Sequence, residues 1–323
     1  MRIAIIGGGS WGTALALILG RRHDVALWVH DASLAARMHD QRINDVYLPA
    51  FELPSSVRAV AWLDAALSGA EIVISVMPSE HCRRIYGEMQ PYLRDDMLFV
   101  SATKGLETGS LLRMSEVLGR PRIGVLSGPS FALEVARGDP TAAVIAATDM
   151  ELARTVQSAF SGTNLRLYTN ADPAGVEYAG ALKNVIAIGA GICDGLGLGS
   201  NSAAALITRG LAEITRLASA LGGKRETLAG LAGMGDLILT CTGTLSRNRT
   251  LGGELARGRK LAEIVASTRM VAEGVHTTEA AVALARRVGV EMPITERMYA
   301  VLFEDQSPRD ALRYLMERTL KEE

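Results

Sequence analysis

Cysteine, aromatic residues and lysine are all scarce in this chain, and each scarcity excludes something. Three cysteines, Cys82, Cys193 and Cys241, stand far apart in 323 residues. An odd number at wide spacing makes neither a disulfide framework nor a zinc pattern. They read as small buried thiols of a reducing compartment. No cluster of Cys, His and carboxylates has metal-ligand spacing, so no metal is expected. Aromatics make up 5% of the chain while glycine reaches 33 residues, which suits packed helices and tight turns better than an all-β sandwich. Neither sign of charge is in excess: 34 Lys+Arg stand against 35 Asp+Glu, which argues against a nucleic-acid partner. An apolar fraction of 48% excludes disorder. No signal peptide is expected from the opening residues, and Gly, Lys or Asp interrupts the apolar runs short of a membrane span. A cytoplasmic globular protein is expected.

The length favours two domains. Over the first half, short apolar runs alternate with helical segments. Strands are expected at Arg2–Ile6, Val25–Val29, Glu71–Val76, Met97–Val100, Ile123–Leu126 and Ala142–Ala146, with a helix over Trp11–Leu19. Continuous apolar strands separated by helices predict a parallel sheet covered on both faces, with right-handed crossovers. Leu48 to Pro54 reads as a loop. After about residue 170 the texture changes. Asp172-Pro173 starts a helix, Asp as N-cap and Pro at the first helical position, and the Gly/Ala-rich run Ala174–Ile192 continues it. No strand is expected beyond it, and Lys321-Glu322-Glu323 reads as a frayed end. The fold class is therefore an α/β N-terminal Rossmann-like domain with a mostly parallel sheet over 1–180, followed by an all-α C-terminal domain over 181–323.

The first chemical motif follows the first strand. Gly7, Gly9 and Gly12 form G-x-G-x-x-G between a predicted strand and a predicted helix, the context in which that pattern binds a dinucleotide. The glycines allow a tight turn and close approach of backbone to a pyrophosphate, and the helix N-terminus supplies N–H donors. An acidic residue ending the second strand would favour NAD. Here the strand ends Val29-His30-Asp31 and the acid falls late, so a 2'-phosphate is not excluded and His30 can meet one. Lys104, after a buried strand, and Gly128-Pro129-Ser130, after another, fall where parallel sheets bind ligands.

The sharpest signal is Lys183-Asn184. Lysine occurs only at 104, 183, 224, 260 and 321, arginine supplying the other basic residues. Lys183 lies deep in the Gly/Ala helix, where it must reach solvent or meet a ligand or partner. Desolvation would lower its pKa towards that of a working general acid/base, and Asn184 can hydrogen-bond a substrate oxygen. Asp236 reads as a helix cap with Thr240 one turn on, able to hold a lysine or a substrate hydroxyl. Ser246-Arg247-Asn248-Arg249 offers a fork of donors suited to phosphate.

The glycine loop running into Ser10-Trp11-Gly12-Thr13-Ala14-Leu15, then Lys104-Gly105, Gly128-Pro129-Ser130-Phe131-Ala132, Lys183-Asn184, Gly235-Asp236-Leu237, Ser246-Arg247-Asn248 and Val271-Ala272-Glu273-Gly274 occur in this order. The ordered set resembles the bacterial-type NAD(P)-dependent glycerol-3-phosphate dehydrogenases over both halves of the chain. The resemblance implies reversible reduction of dihydroxyacetone phosphate to sn-glycerol 3-phosphate with NADPH or NADH, supplying phospholipid synthesis. It implies Lys183 as the acid/base residue. It implies cofactor contacts from Ser10, Trp11, His30, Lys104, Ala132, Arg247, Val271 and Glu273, beside the loop glycines. Lys104, Gly128, Ser130, Lys183, Asp236, Ser246, Arg247 and Asn248 would contact substrate, joined on chemical grounds by Asn184 and Thr240. No membrane span is expected, and a homodimer is allowed. Two rivals share parts of the pattern: a related dehydrogenase acting on a small 2-keto or 3-hydroxy acid, and a non-catalytic dinucleotide sensor.

Overall fold

The computed structural model describes residues 1–267 and 273–319. The chain divides into two compact units. One comprises Met1–Lys104 with Arg113–Val176, and the other Gly105–Leu112 with Glu177–Glu323. The boundary falls within the helix Pro173–Gly195, a few residues before the expected 180/181.

The first unit is built on eight strands: β1 (Arg2–Ile6), β2 (Asp24–Trp28), β3 (Val57–Val60), β4 (Ile72–Ser75), β5 (Leu98–Ser101), β6 (Ile123–Ser127), β7 (Thr141–Ala146) and β8 (Leu165–Asn170). Their order in the sheet is β8-β7-β6-β5-β4-β1-β2-β3. All neighbours are parallel except β6 and β7, where Leu126 faces Ile145 in antiparallel register. Ile3 to Ile6 are all buried, as a strand covered on both faces requires. Ile5 pairs with Leu27 on one side and Ile74 on the other. β1 is thus the strand at which the chain order reverses, the position where such sheets bind ligands beyond their carboxyl ends. The helix α1 (Ser10–Leu19) follows it, buried from Gly12 to Leu19.

Both edge strands, and a strand at Leu48–Glu52, are absent from the sequence-based expectation. In β3 and β8 buried and exposed residues alternate, as in Leu165-Arg166-Leu167-Tyr168, because an edge strand is half solvated. A search for continuous apolar runs passes over them. Leu48–Glu52, expected as loop, is a strand paired antiparallel with Ile43–Asn44. Only Leu48 of its five residues is buried, so it carries no apolar signal.

From Glu177 on, the regular structure of the described residues of the second unit is helical, as expected, whereas its separate segment Gly105–Leu112 contains no helix. The unit's central element is α2 (Pro173–Gly195). Asp172 caps it, Oδ1 accepting from Gly175 N–H at 2.9 Å. This helix is long and apolar enough to cross a membrane, against the expectation from its interruptions, but 94% of its apolar window is buried inside the protein. Around it lie α3 (Ser200–Ala220), α4 (Asp236–Thr242), α5 (Arg247–Ala256), α6 (Gly274–Val288) and α7 (Pro293–Phe303). Backbone touches backbone where α2 meets α5: a Cβ on Gly252 would stand 2.0 Å from the Ile188 carbonyl oxygen, and one on Gly191 would stand 1.9 Å from that of Arg249. Val185, Ile188, Ile192, Leu251 and Leu255 pack around this crossing.

One buried carboxylate fixes a helix end in this unit. Met292 precedes α7 and has no side-chain cap to offer. Glu213 of α3 supplies one, accepting from the N–H groups of Ile294 at 2.6 Å and Thr295 at 3.2 Å. Burial outweighs these bonds and pushes the carboxyl up from 4.5 to about 7. A folded-state value above the unfolded one contributes stability that is complete below about 4.5 and lost as pH rises through about 7. Relative to Glu213→Gln, which cannot titrate, the parent should therefore lose thermal stability between those values. Parallel melting-temperature profiles across that range would contradict this.

Candidate active site

The parallel strands β1, β2, β4, β5 and β6 end on one edge of the first unit's sheet, and four predicted positions fall there. The glycine loop follows β1. Gly7 adopts φ +133°, and a Cβ on it would stand 2.6 Å from the Val76 carbonyl oxygen. Gly12 lies closer still, 1.9 Å from Gly7 O by the same measure, whereas a Cβ on Gly9 would meet nothing within 4 Å. The loop is therefore packed from beneath and open above Gly9. α1 has neither a side-chain cap nor an acidic residue in its first turn, so its leading N–H groups suit an anion. These features fit the pyrophosphate of a dinucleotide.

The loop is braced by a residue the sequence reading missed. Asn44, fully buried, donates from Nδ2 to Gly8 O at 2.9 Å and to Thr13 Oγ1 at 2.8 Å. Nothing in the sequence separates it from an ordinary turn asparagine. Ser10 Oγ donates to Tyr47 O at 2.9 Å, and Trp11 packs half-buried against the core. His30 is exposed just beyond β2, its ring 5.7 Å from that of Trp28. Asp31, the late acid, caps the following helix by accepting from Ser33 and Leu34 N–H at 2.8 and 3.1 Å. Those bonds, with the Ser33 hydroxyl foremost, hold its carboxyl below the usual range.

Lys104, Gly128 and Ser130 converge. Lys104 Nζ donates to Gly128 O at 3.3 Å, and Ser130 Oγ donates to the same oxygen at 3.1 Å. Gly128 holds φ +147°, and a Cβ there would stand 2.8 Å from Ala143 Cα. Ala132 opens the short helix after this turn.

The second unit gathers the remaining chemistry. Lys183, only 5% exposed on α2, donates from Nζ to Asp236 Oδ1 at 2.7 Å and to Thr240 Oγ1 at 2.6 Å. The Thr240 hydroxyl spends its own proton on Asp236 O at 2.6 Å. It thus offers the ammonium only a lone pair. Asp236 is 1% exposed, so charge and counter-charge are buried together. Of the roles the sequence allows Asp236, holding a lysine is the one observed, and capping α4 is not. Asp236 is the first helical residue, entered directly from a π-helical turn over Leu231–Gly235, and its carboxylate turns to Lys183. Cys241, beside the pair, has its thiol pushed up to about 12 by burial, against the pull of Lys183. All three cysteines are free, and no metal-binding cluster occurs among the described residues.

Asn184 and Asn248 are also buried together, Asn248 Nδ2 donating to Asn184 Oδ1 at 3.0 Å. Ser246 caps α5, its Oγ accepting from Arg249 N–H at 3.3 Å, while Arg249 pairs with Asp194 at 3.1 Å. Arg247 is exposed at the first position of α5. Glu273 immediately precedes α6. Val271 lies outside the described residues.

A strand–glycine loop–helix cradle on one unit and a buried lysine–aspartate pair on a mostly helical unit define the class: the nucleotide-dependent dehydrogenases. The model of the NAD-dependent glycerol-3-phosphate dehydrogenase N-terminus matches residues 2–153, and that of its C-terminus matches residues 172–313. A glycerol-3-phosphate dehydrogenase (NAD(P)+) of Koribacter versatilis is 59% identical, over 98% of this chain and 97% of the relative. One of Geobacter sulfurreducens is 51% identical, over 100% and 98%. The solved glycerol-3-phosphate dehydrogenase of Coxiella burnetii matches with a TM-score of 0.94 at 42% identity, over 98% and 99%. The chain belongs to the NAD-dependent glycerol-3-phosphate dehydrogenase family.

Removing one member of a buried ion pair costs about 3–5 kcal/mol, because the other charge is left uncompensated. Asp236→Ala should destabilise the helical unit by about that amount, measured by urea denaturation. A midpoint equal to the parent's would show that Lys183 is not held as a buried cation.

Proposed function

We propose that this chain reversibly reduces dihydroxyacetone phosphate to sn-glycerol 3-phosphate with NADPH or NADH, the product supplying phospholipid synthesis. The observation that carries the reading is the buried Lys183–Asp236–Thr240 cluster in a chain of this family. When bound, the reduced nicotinamide supplies the hydride. The glycine loop and the N-terminus of α1 hold the pyrophosphate, with Ser10, Trp11, His30, Ala132, Val271 and Glu273 as further cofactor contacts and Lys104 and Arg247 serving both ligands. As the substrate's carbonyl oxygen gains negative charge, Lys183 holds a proton at Nζ for it and stabilises it by charge. In the oxidative direction the same nitrogen takes the proton back. Asp236 and Thr240 fix Nζ in place. Arg247, with Ser246 and Asn248, anchors the phosphate remote from the reacting carbon, which orients the substrate. Gly128, Ser130 and Asn184 complete the substrate contacts.

A cytoplasmic setting and a homodimer belong to the same reading. The three free thiols fit a reducing compartment.

The deciding assay follows NADPH absorbance with dihydroxyacetone phosphate, and with unphosphorylated dihydroxyacetone as control. Oxidation only with the phosphorylated ketone is expected; none with either would refute the reading. Loss of a charge-assisted contact costs about 1.5–3 kcal/mol. Arg247→Ala should therefore raise the KM for dihydroxyacetone phosphate roughly ten- to a hundredfold, and an unchanged KM would remove Arg247 from the site.

Cofactor choice follows from the end of β2. Asp31 is spent as a helix cap and His30 is exposed, so both NADPH and NADH should be accepted. Two like charges about 4 Å apart repel by about 1 kcal/mol in water. His30→Asp should thus weaken NADPH about fivefold or more relative to NADH, and a parent that binds only NADH would contradict the assignment.

A further inference from the structure

One peptide unit of the glycine loop has no side chain to hold its plane. Gly8 is buried against Val29, where a Cβ would stand 2.7 Å from Cγ2, so packing admits only glycine. Gly9 follows with φ −74° and open space around its Cα. Flipping the unit between them turns ψ of Gly8 and φ of Gly9, and with two glycines no Cβ resists it. The choice of orientation decides what a ligand meets. In a trans peptide C=O and N–H point in opposite directions, and no peptide among the described residues is cis. With the Gly8 oxygen turned into the protein, Gly9 N–H faces outward as a donor. With the unit flipped, a carbonyl oxygen would face an incoming anion. No group among the described residues accepts from Gly9 N–H.

Asn44 selects the first orientation. Its Nδ2 donates to Gly8 O at 2.9 Å and to Thr13 Oγ1 at 2.8 Å, while its Oδ1 accepts from Tyr47 N–H at 3.1 Å. A carbonyl can only accept and a backbone N–H can only donate, so the partners at both ends fix the carboxamide. The turn that carries Asn44 is tied back to the loop by Ser10 Oγ, which donates to Tyr47 O at 2.9 Å. We propose that Asn44 is a positioning residue for the cofactor: it holds the Gly8 oxygen inward, so that Gly9 N–H is presented to an oxygen of the dinucleotide's pyrophosphate. This rests on the seat of the pyrophosphate given above and adds the group that sets its donor pattern. Asn44 acts through the peptide and not on the ligand.

Ligands with and without a pyrophosphate test this. NADPH binding is followed by nucleotide fluorescence, with ADP-ribose and adenosine 2'-monophosphate as competitors. Asn44→Ala should weaken NADPH and ADP-ribose each about tenfold, and adenosine 2'-monophosphate by less than about twofold. In turnover the KM for NADPH should rise while kcat at saturating NADPH stays within about twofold of the parent's, because a binding contact is lost and not one made only in the transition state. Asn44→Asp keeps the size and the acceptor for Tyr47 N–H but sets a carboxylate against the Gly8 oxygen. It should weaken NADPH further than Asn44→Ala does, and a crystal structure of the ligand-free variant should show the peptide flipped, with Gly9 N–H turned to the new carboxylate. Equal weakening of all three ligands would overturn the proposal, since general loosening of the unit gives that result. So would an unflipped peptide in Asn44→Asp, or failure of both variants to fold, which would make Asn44 a support of the whole unit. ADP-ribose that does not compete on the parent refutes the seat of the pyrophosphate itself and the proposal with it, whereas ADP-ribose that competes equally on the parent and Asn44→Ala refutes the proposal alone.

Discussion

An ammonium buried in an apolar helix demands a counter-charge, and the helical unit is arranged around that demand. Lys183 stands in a stretch of α2 where its neighbours Leu182 and Val185 are each 1% exposed. Without Asp236 the charge would be intolerable there. The π-helical turn before α4 delivers Asp236 at the first helical position, and Thr240 follows one turn later on the same face. The result is a nitrogen fixed by two oxygens, 2.7 and 2.6 Å away. Such fixation is what proton transfer at a defined atom needs.

Glycine makes the surrounding contacts. The crossing of α2 and α5 brings main chains together at Gly191 and Gly252, which carries Asn248 to Asn184. In the first unit the same economy of side chains operates at Gly7 and Gly12, leaving the space over Gly9 open. The scarcity of aromatics noted at the outset has its counterpart here: the two candidate sites are built by close approach of backbone and by short polar side chains.

What could be read from the sequence was whatever is encoded locally. The glycine loop declares itself by its place between strand and helix, Asp172-Pro173 by helix-start chemistry, and Lys183 by its contrast with apolar neighbours. Features that depend on distant partners left less trace. The edge strands β3 and β8 alternate in burial and lack an apolar run. Asn44 braces a loop 36 residues away at Gly8. Asp236 reads from the sequence either as a cap or as the holder of a lysine, and local pattern does not say which lysine: the one that claims its carboxylate lies 53 residues away. Asn248 accepts from the backbone N–H of Gly274, 26 residues on, and no local pattern announces that bond.

The account stands on Lys183 as the group that moves the proton, held in a unit separate from the glycine loop. The most direct test is kcat for Lys183→Ala beside an NADPH titration of the same folded protein. Removing a general acid/base costs about 10²–10⁴-fold, and losing the positive charge near the developing alkoxide adds to it. Turnover should fall by at least that range while NADPH binds with near-parent affinity, and Lys183→Arg should not restore the rate, because a guanidinium stays protonated and fits poorly where a compact ammonium acts. A near-parent kcat in Lys183→Ala would contradict the account.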